Sequence, residues 1–144
     1  MVYCVTQYTM TPFHVDLIPG EPIYEQVAYA AKKAILAGRL QPDDPFPSVR
    51  VLSQDLKINP NTAHKVIAQL IAEGLIEAAG PGFGCIVKPL PPSTATERGN
   101  LLKKQLEEVV VEAKTLGLDL DEVTRALGSH WVRLNGRPRD RKRG

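Results

Sequence analysis

Apolar residues recur at helical spacing in three segments of the first half of the chain. The first segment begins after Pro22, and Gly38 stands where a glycine commonly ends a helix, so the pattern predicts a helix over residues 22–37. The following LQPDDPFP contains three prolines and is expected to be a stiff connector. Ahead of the helix, residues 13–17 are expected to form a short strand or an extended lead-in.

Two shorter helices follow the connector. Ser48 is a favourable N-cap for a helix over residues 49–56. Asn59 is the expected N-cap of the next helix, which has Pro60 at its first position and is stopped by Gly74. Because only three residues separate the two helices, they have the dimensions of a helix-turn-helix.

The second of these helices has an apolar stripe and a polar outer face. The stripe is predicted to be buried and contains Ala63, Val66, Ile67, Leu70 and Ile71. The outer face is predicted to contain Asn61, Thr62, His64, Lys65 and Gln69. Asparagine can pair with adenine edges, lysine can reach guanine and threonine can donate to phosphate, which are groups that a major-groove helix needs. A polar face that is only solvated is the alternative.

A glycine-rich turn between two apolar runs follows directly, in LIEAAGPGFGCIV. The runs predict a hairpin whose apolar strand residues are Leu75, Ile76, Ile86 and Val87. A hairpin directly after a recognition helix is a wing, and its glycines let the backbone approach a sugar-phosphate strand. An ordinary hairpin that closes the core is the alternative.

Residues 100–128 predict two short amphipathic helices after a proline-rich linker at 91–99. Gly117 ends the first helix, and Asp119 caps the second with Glu122 completing a capping box. Their apolar faces are expected to pair with those of a second chain, and packing on the preceding domain is the alternative. The predicted dimer seam contains Leu102, Leu106, Val109, Ala113, Leu116, Val123 and Leu127.

Charge is concentrated at the end of the 144-residue chain. Residues 133–144 carry six Arg or Lys against Asp140, a net charge of +5, and since the whole chain carries +2, residues 1–132 carry −3. Residues 129–144 are therefore expected to be a disordered basic tail that either solubilises the protein or adds phosphate contacts. Trp131 is expected to be a packing anchor near the dimer helices.

Other classes of function find little support in the sequence. The two cysteines and three histidines are isolated, so their spacing indicates no metal site, and no arrangement of catalytic side chains predicts an enzyme or a cofactor. The N-terminus has no basic segment of a signal peptide, and no run approaches the roughly 20 apolar residues of a membrane span. A cytoplasmic protein is expected.

Several landmarks occur in a characteristic order: PIYEQ, LAGRLQPDDPFPSVRVLS, NPNTAHK, EGLIE and GFGCIV. With them, residues 22–90 resemble the winged helix-turn-helix domain of GntR-type bacterial transcription regulators. The resemblance implies that Ser48 and Arg50 contact DNA ahead of the recognition helix and that Gly82 is the first glycine of the wing. The resemblance also implies that the recognition positions are occupied by Asn59, Asn61, Thr62, His64 and Lys65.

The chain also departs from the family's pattern. The family often has Arg in place of His64, Arg or Lys in place of Ala79 and Gly80, and a small or basic residue in place of Phe83. Residues 20–90 contain seven basic and seven acidic groups, so DNA binding must depend on local placement of basic side chains or on the tail.

The second half, with AKTLGLDLDEVTRAL, resembles the YtrA-like branch of the family, in which a short helical region dimerises the protein. The resemblance implies a repressor, often of transporter genes, that binds an inverted-repeat operator as a homodimer. A small-molecule effector, if the protein has one, would have to use a small pocket near the dimer helices. A winged helix that serves as a protein-interaction module is the alternative function.

The predicted fold class is α+β, with a mainly helical winged helix-turn-helix domain followed by a two-helix dimerisation region. The predicted segments are a lead-in over 1–21, the DNA-binding domain over 22–90, a linker over 91–99, the dimerisation region over 100–128 and the tail over 129–144.

Overall fold

The structure is a computed structural model that describes residues 11–82 and 84–135. The chain divides into two compact units, with the division between Leu90 and Pro91. The first unit combines three helices with a small sheet, and the second is helical. This confirms the predicted α+β class.

Three helices make up most of the first unit: α1 (Ile23–Leu36), α2 (Val49–Leu56) and α3 (Pro60–Ala72). Both α1 and α2 pack against α3. The hydroxyl of Ser48 accepts a hydrogen bond from the backbone N–H of Val51 at 3.1 Å, which starts α2 as an N-cap should. The three helices lie within two residues of their predicted bounds.

The sheet contains one strand more than the sequence predicted. Strands β1 (Pro45–Phe46), β2 (Ile76–Gly80) and β3 (Gly84–Val87) are antiparallel in the order β1-β3-β2. The hairpin of β2 and β3 was predicted, whereas β1 lies in what was expected to be only a stiff connector. Pro45 is tolerated because β1 is a two-residue edge strand, where a missing N–H does little harm.

The core of the first unit lies between the helices and the sheet. Its largest fully buried side chains are Leu52, Leu70, Ile76, Val27, Val66 and Val87. Residues 13–17 form no strand, and this lead-in is held by the buried ring of Phe13, which stacks on Phe46 with 6.1 Å between ring centroids. The N–H of Thr11 adds a hydrogen bond of 2.7 Å to the Asp55 carboxylate.

Three side chains of α3 differ from their predicted environments, and one of them is Thr62, which was assigned to the free face but is half-buried. Ile71 was assigned to the buried stripe but is 43% exposed. Gln69 was assigned to the free face but is half-buried, and its amide donates a hydrogen bond to Glu73. Helical spacing alone predicts which residues share a face, but the position of α1 decides which end of that face is covered.

The second unit contains α4 (Ala95–Gly99), a π-helical segment (Asn100–Gln105), α5 (Leu106–Thr115) and α6 (Leu120–Arg133). Residues 95–99, predicted to be linker, are helical because Thr94 and Glu97 form a capping box with bonds of 3.0 and 2.9 Å. The capping box predicted at the start of α6 is present.

Helix α6 runs beyond its predicted end near residue 128 and finishes at Arg133. Its last turn contains His130 and Arg133, and basic side chains there interact favourably with the helix dipole. Trp131 therefore lies on α6 rather than after it. It is 72% exposed, so within the single chain it is not the packing anchor that was expected. Residues 136–144 of the predicted basic tail lie outside the described residues.

Candidate nucleic-acid interface

The outer face of α3 carries polar side chains near its N-terminus. Asn61, His64 and Lys65 are exposed and lie three to four residues apart, so they form one strip along the helix. Thr62 is half-buried at the border of this strip. Ala68 continues the strip and was not singled out from the sequence, although a small apolar side chain is suited to contact a thymine methyl group.

The start of α3 is fixed by its own sequence. The Oδ1 atom of Asn59 accepts a hydrogen bond of 2.7 Å from the N–H of Asn61, and Pro60 follows at the first helical position. Asn59 therefore has a structural role that determines where the strip begins. Its side-chain NH₂ is the part of the amide that is suited to donate to DNA.

The start of α2 presents a second group of polar atoms. Ser48 accepts a hydrogen bond as the N-cap, and its hydroxyl proton is suited to donate to a phosphate oxygen. Arg50 lies in the first turn with its side chain exposed. In residues 11–82 and 84–135 its guanidinium forms no hydrogen bond or ion pair, so this charge is not neutralised by the described part of the protein.

The wing presents backbone rather than charge. Its strands are bridged by the partners Gly80 and Gly84, and Gly82 lies in the turn with a φ of +82°. No heavy atom of the described residues, apart from the chain neighbours of Gly82, lies within 4 Å of a Cβ built on it, so the requirement for glycine there comes from φ. At the base of the hairpin, Glu77 of β2 forms an ion pair of 3.7 Å with Lys88, which follows β3.

Several other charges of the first unit are paired with one another. Lys32 on α1 lies 2.8 Å from Glu73, and its hydrogen bond holds the pKa of that carboxyl below its ordinary value despite partial burial. Burial raises the pKa of the Cys85 thiol, so Cys85 is neutral at pH 7 and behaves as a small apolar group beside the core. Among the described residues, the three cations of the helix-turn-helix, Arg50, Lys57 and Lys65, form no ion pair with a carboxylate.

Tyr24 is a neighbour of the strip that sequence reasoning did not identify. It lies on α1, and the Nζ atom of Lys65 is 5.5 Å from the centroid of its ring. The two residues are far apart in sequence and are brought together by the packing of α1 on α3. Helical periodicity marks Tyr24 as part of α1 but contains no information on which α3 residue it faces.

The predicted dimer seam lies on the second unit and is largely uncovered. Five of its members are exposed in the single chain: Leu102, Leu106, Val109, Leu116 and Leu127. Val123 is half-buried, and Ala113 is buried at 7% exposure because the chain turns back over it, with the N–H of Leu118 bonded to its carbonyl. Apolar side chains exposed in this way are candidates for burial against a partner.

Some chemistry is not represented in the described structure. Residues 11–82 and 84–135 contain no group of three or more His, Cys, Asp or Glu side chains that could hold a metal ion. None of the helices in these ranges has both the length and the apolar character required to span a bilayer.

Comparisons with known proteins agree with this fold. The family model for "Bacterial regulatory proteins, gntR family" matches residues 23–87. The chain is 33% identical over 110 residues to the "HTH-type transcriptional repressor YtrA" of Bacillus subtilis (strain 168), a match that covers 76% of this chain and 84% of that protein. It is 29% identical over 104 residues, or 72% of this chain and 85% of the relative, to the uncharacterized transcriptional regulator YhcF of the same organism.

Solved structures show the same architecture. A transcriptional antiterminator from Listeria monocytogenes EGD-e superposes with a TM-score of 0.75 at 22% identity, covering 87% of this chain and 93% of that one. A transcriptional regulator from Oenococcus oeni superposes with a TM-score of 0.56 at 26% identity, covering 79% and 94%. Together with the helix-turn-helix, the wing and the match to YtrA, these findings show that the chain is a YtrA-like member of the GntR family of bacterial transcription regulators.

Proposed function

We propose that this protein binds an inverted-repeat DNA operator as a homodimer and represses transcription of the adjacent genes. The observation that carries the proposal is the strip of Asn61, His64 and Lys65, which is exposed at the sharply fixed N-terminus of the second helix of a helix-turn-helix. This is the part of such a helix that enters the major groove.

The proposed contacts divide into base reading and phosphate binding. Asn61 and Lys65 have the donors and acceptors to read base edges, and His64 lies between them on the same strip. Ser48 and Arg50 at the start of α2 are proposed to contact the sugar-phosphate backbone. Three further contacts are proposed. Thr62 contributes one from the border of the strip, Asn59 one from the N-cap of α3, and Gly82 one from the backbone of the wing.

The proposed dimer is formed by the exposed apolar residues of α5, α6 and the π-helical segment. A second copy would cover these residues with an equivalent surface, as a two-fold interface requires. Dimerisation would also present two copies of α3 to the DNA, which explains why the operator is proposed to be an inverted repeat.

Repression is proposed because a relative that is 33% identical to this chain over 110 residues is named a transcriptional repressor. Transporter genes are the proposed targets because of the resemblance to the YtrA-like branch. Since the ligand would be the bacterial chromosome, the proposed location is the cytoplasm. A small-molecule effector has no assigned site in this proposal.

The test is selection of bound sequences by the full-length protein from a random duplex pool at two salt concentrations. We expect enrichment of one inverted repeat at both concentrations, and the spacing of its half-sites reports the geometry of the dimer. Uniform binding that disappears at the higher salt concentration would contradict sequence reading. It would favour instead a winged helix that uses its polar face to bind another protein.

A further inference from the structure

We propose that Tyr24 positions Lys65 for DNA contact and that α1 therefore belongs to the recognition surface. The inference rests on the proposed function, because it assigns a role in DNA binding by α3. Tyr24 is a positioning residue in this proposal: it acts through the lysine and need not touch DNA itself.

The geometry is that of a cation–π contact. The Nζ atom of Lys65 lies 5.5 Å from the centroid of the Tyr24 ring, within the distance of about 6 Å at which a ring attracts an ammonium group. Tyr24 is half-buried and packs against the hydrophobic core. Its hydroxyl donates a hydrogen bond of 3.3 Å to the Glu25 carboxylate. The ring is therefore held from two sides, while Lys65 is exposed.

A fixed ring matters because a lysine side chain is otherwise mobile. Its ammonium lies at the end of a flexible four-carbon stem, and ordering that stem opposes binding. A ring that holds the ammonium near one place before DNA arrives reduces this loss. One face of the ammonium lies towards the ring, and its other N–H donors remain available to a phosphate or a base edge.

The expected loss of operator affinity is moderate. Because a dimer contains the pair twice, the free-energy change is doubled and the fold-change is squared. An exposed cation–π contact changes an equilibrium by about twofold to fivefold, which follows from its usual energy and the tenfold change that each 1.4 kcal/mol produces. The proposed dimer contains two such pairs, so loss of both rings is expected to weaken operator binding by about 4-fold to 25-fold.

The same helix offers a matched control. The Nζ atom of Lys33 lies 4.8 Å from the centroid of the Tyr29 ring, and this pair is also partly exposed. Tyr29 lines a cleft with Lys32 and Glu73, beside the C-terminal end of α3 and away from the strip. Tyr29→Leu removes a ring and a cation–π contact without touching the proposed recognition surface, so it should leave operator binding unchanged.

The experiment is a double-mutant cycle with the full-length protein and the duplex recovered by selection. Tyr24→Leu should weaken binding by the amount given above, and it should have no effect when Lys65 is already alanine. Tyr24→Phe should bind nearly like the unmodified protein, because the ring and its packing against the core are retained and only the 3.3 Å hydrogen bond to Glu25 is lost. Equal weakening by Tyr24→Leu in both backgrounds, or tighter binding after loss of the ring, would overturn the proposal.

A second measurement needs neither DNA nor a folded Tyr24→Leu variant. In NMR spectra of the unmodified protein, the ε-methylene protons of Lys65 should be shifted upfield by the ring current of Tyr24, and Tyr24→Phe should retain the shift. Absence of the shift would refute the contact itself. If the shift is present and selection enriches no sequence, the pair exists and it is the proposed function that has failed.

Discussion

Arg50→Ala is expected to weaken operator binding and to reduce its dependence on salt, without loss of stability. Arg50 is exposed in the first turn of α2, and no partner in the described ranges engages its guanidinium. Alanine is a good helix former, so the replacement should change the free energy of unfolding by less than about 0.5 kcal/mol. A loss of operator affinity would therefore indicate a lost contact with DNA and not a lost contact within the protein.

The size of the effect follows from one charge per chain and two chains per operator. Each neutralised phosphate contributes about 0.9 to the slope of log K against log salt concentration, so loss of two contacts reduces the slope by about 1.8. Between about 50 and 200 mM salt, the operator affinity of the unmodified protein should then fall about tenfold more than that of the variant.

Fluorescence anisotropy of a labelled operator across this salt range measures both affinity and slope. Arg39→Ala is the matched control, because Arg39 is also an exposed arginine of the first unit but follows α1 instead of opening α2. We expect the control to retain the slope of the unmodified protein. An unchanged slope for Arg50→Ala would refute the assignment of Arg50 as a phosphate contact, and equal losses for both arginines would show that only net charge matters.

Further predictions concern the wing, the core, the dimer and one ion pair. Gly82→Ala should lower stability by about 1 kcal/mol in thermal unfolding, because alanine is strained at a φ of +82° although the space around it is open. Leu52→Ala should cost about 2–5 kcal/mol in denaturant unfolding, since the side chain has 0% exposure; a smaller loss would mean that the site collapses around the cavity. Leu106→Glu should shift sedimentation to the monomer, whereas Leu36→Glu, a similarly exposed position of the first unit, should not. Because its lysine partner lowers the pKa of Glu73, the stability that this pair adds is present above the pKa of an unfolded glutamate and is lost as pH falls through the lower folded pKa. Glu73→Gln should therefore lower the free energy of unfolding at pH 7 by less than about 1 kcal/mol, which appears as a slightly lower melting temperature. At strongly acidic pH the substitution should have no effect.

Features that depend on neighbouring residues could be predicted from the sequence. The starts of α2, α3 and α6 follow from Ser48, Asn59 and Asp119, each of which accepts a backbone hydrogen bond two or three residues ahead. The wing hairpin follows from the glycine-rich turn between two apolar runs. In each case the deciding contact lies within a few residues of the signal.

Features that depend on distant partners could not be predicted. Strand β1 exists because Phe46 pairs with Cys85, and nothing in the proline-rich connector indicates a partner so far along the chain. The same limit explains Gln69, whose environment is set by Glu73 and by the Lys32 that pairs with it. The site residues carried over from the family, such as Arg50, remain predictions until binding is measured.

The even balance of charges in residues 20–90 gives a misleading impression of how the first unit can bind DNA. Lys32 and Lys88 are paired with carboxylates on the same unit, so they add little to its external potential. Arg50 and Lys65 have no such partner among the described residues, and both belong to the helix-turn-helix. We therefore expect local placement to give a positive recognition surface to a unit with no excess of basic groups.

Such a surface has few cations, so we expect dimerisation to be part of DNA recognition. Arg50, Lys57, Lys65 and a short strip of polar side chains are expected to give one copy only a few contacts, and non-specific DNA binding depends on the number of phosphates neutralised. Joining two copies makes the second binding event intramolecular, so their contacts act together on one operator. The exposed apolar surface of α5 and α6 would then contribute to affinity without touching DNA. Loss of this surface should weaken operator binding as strongly as loss of a residue in the strip.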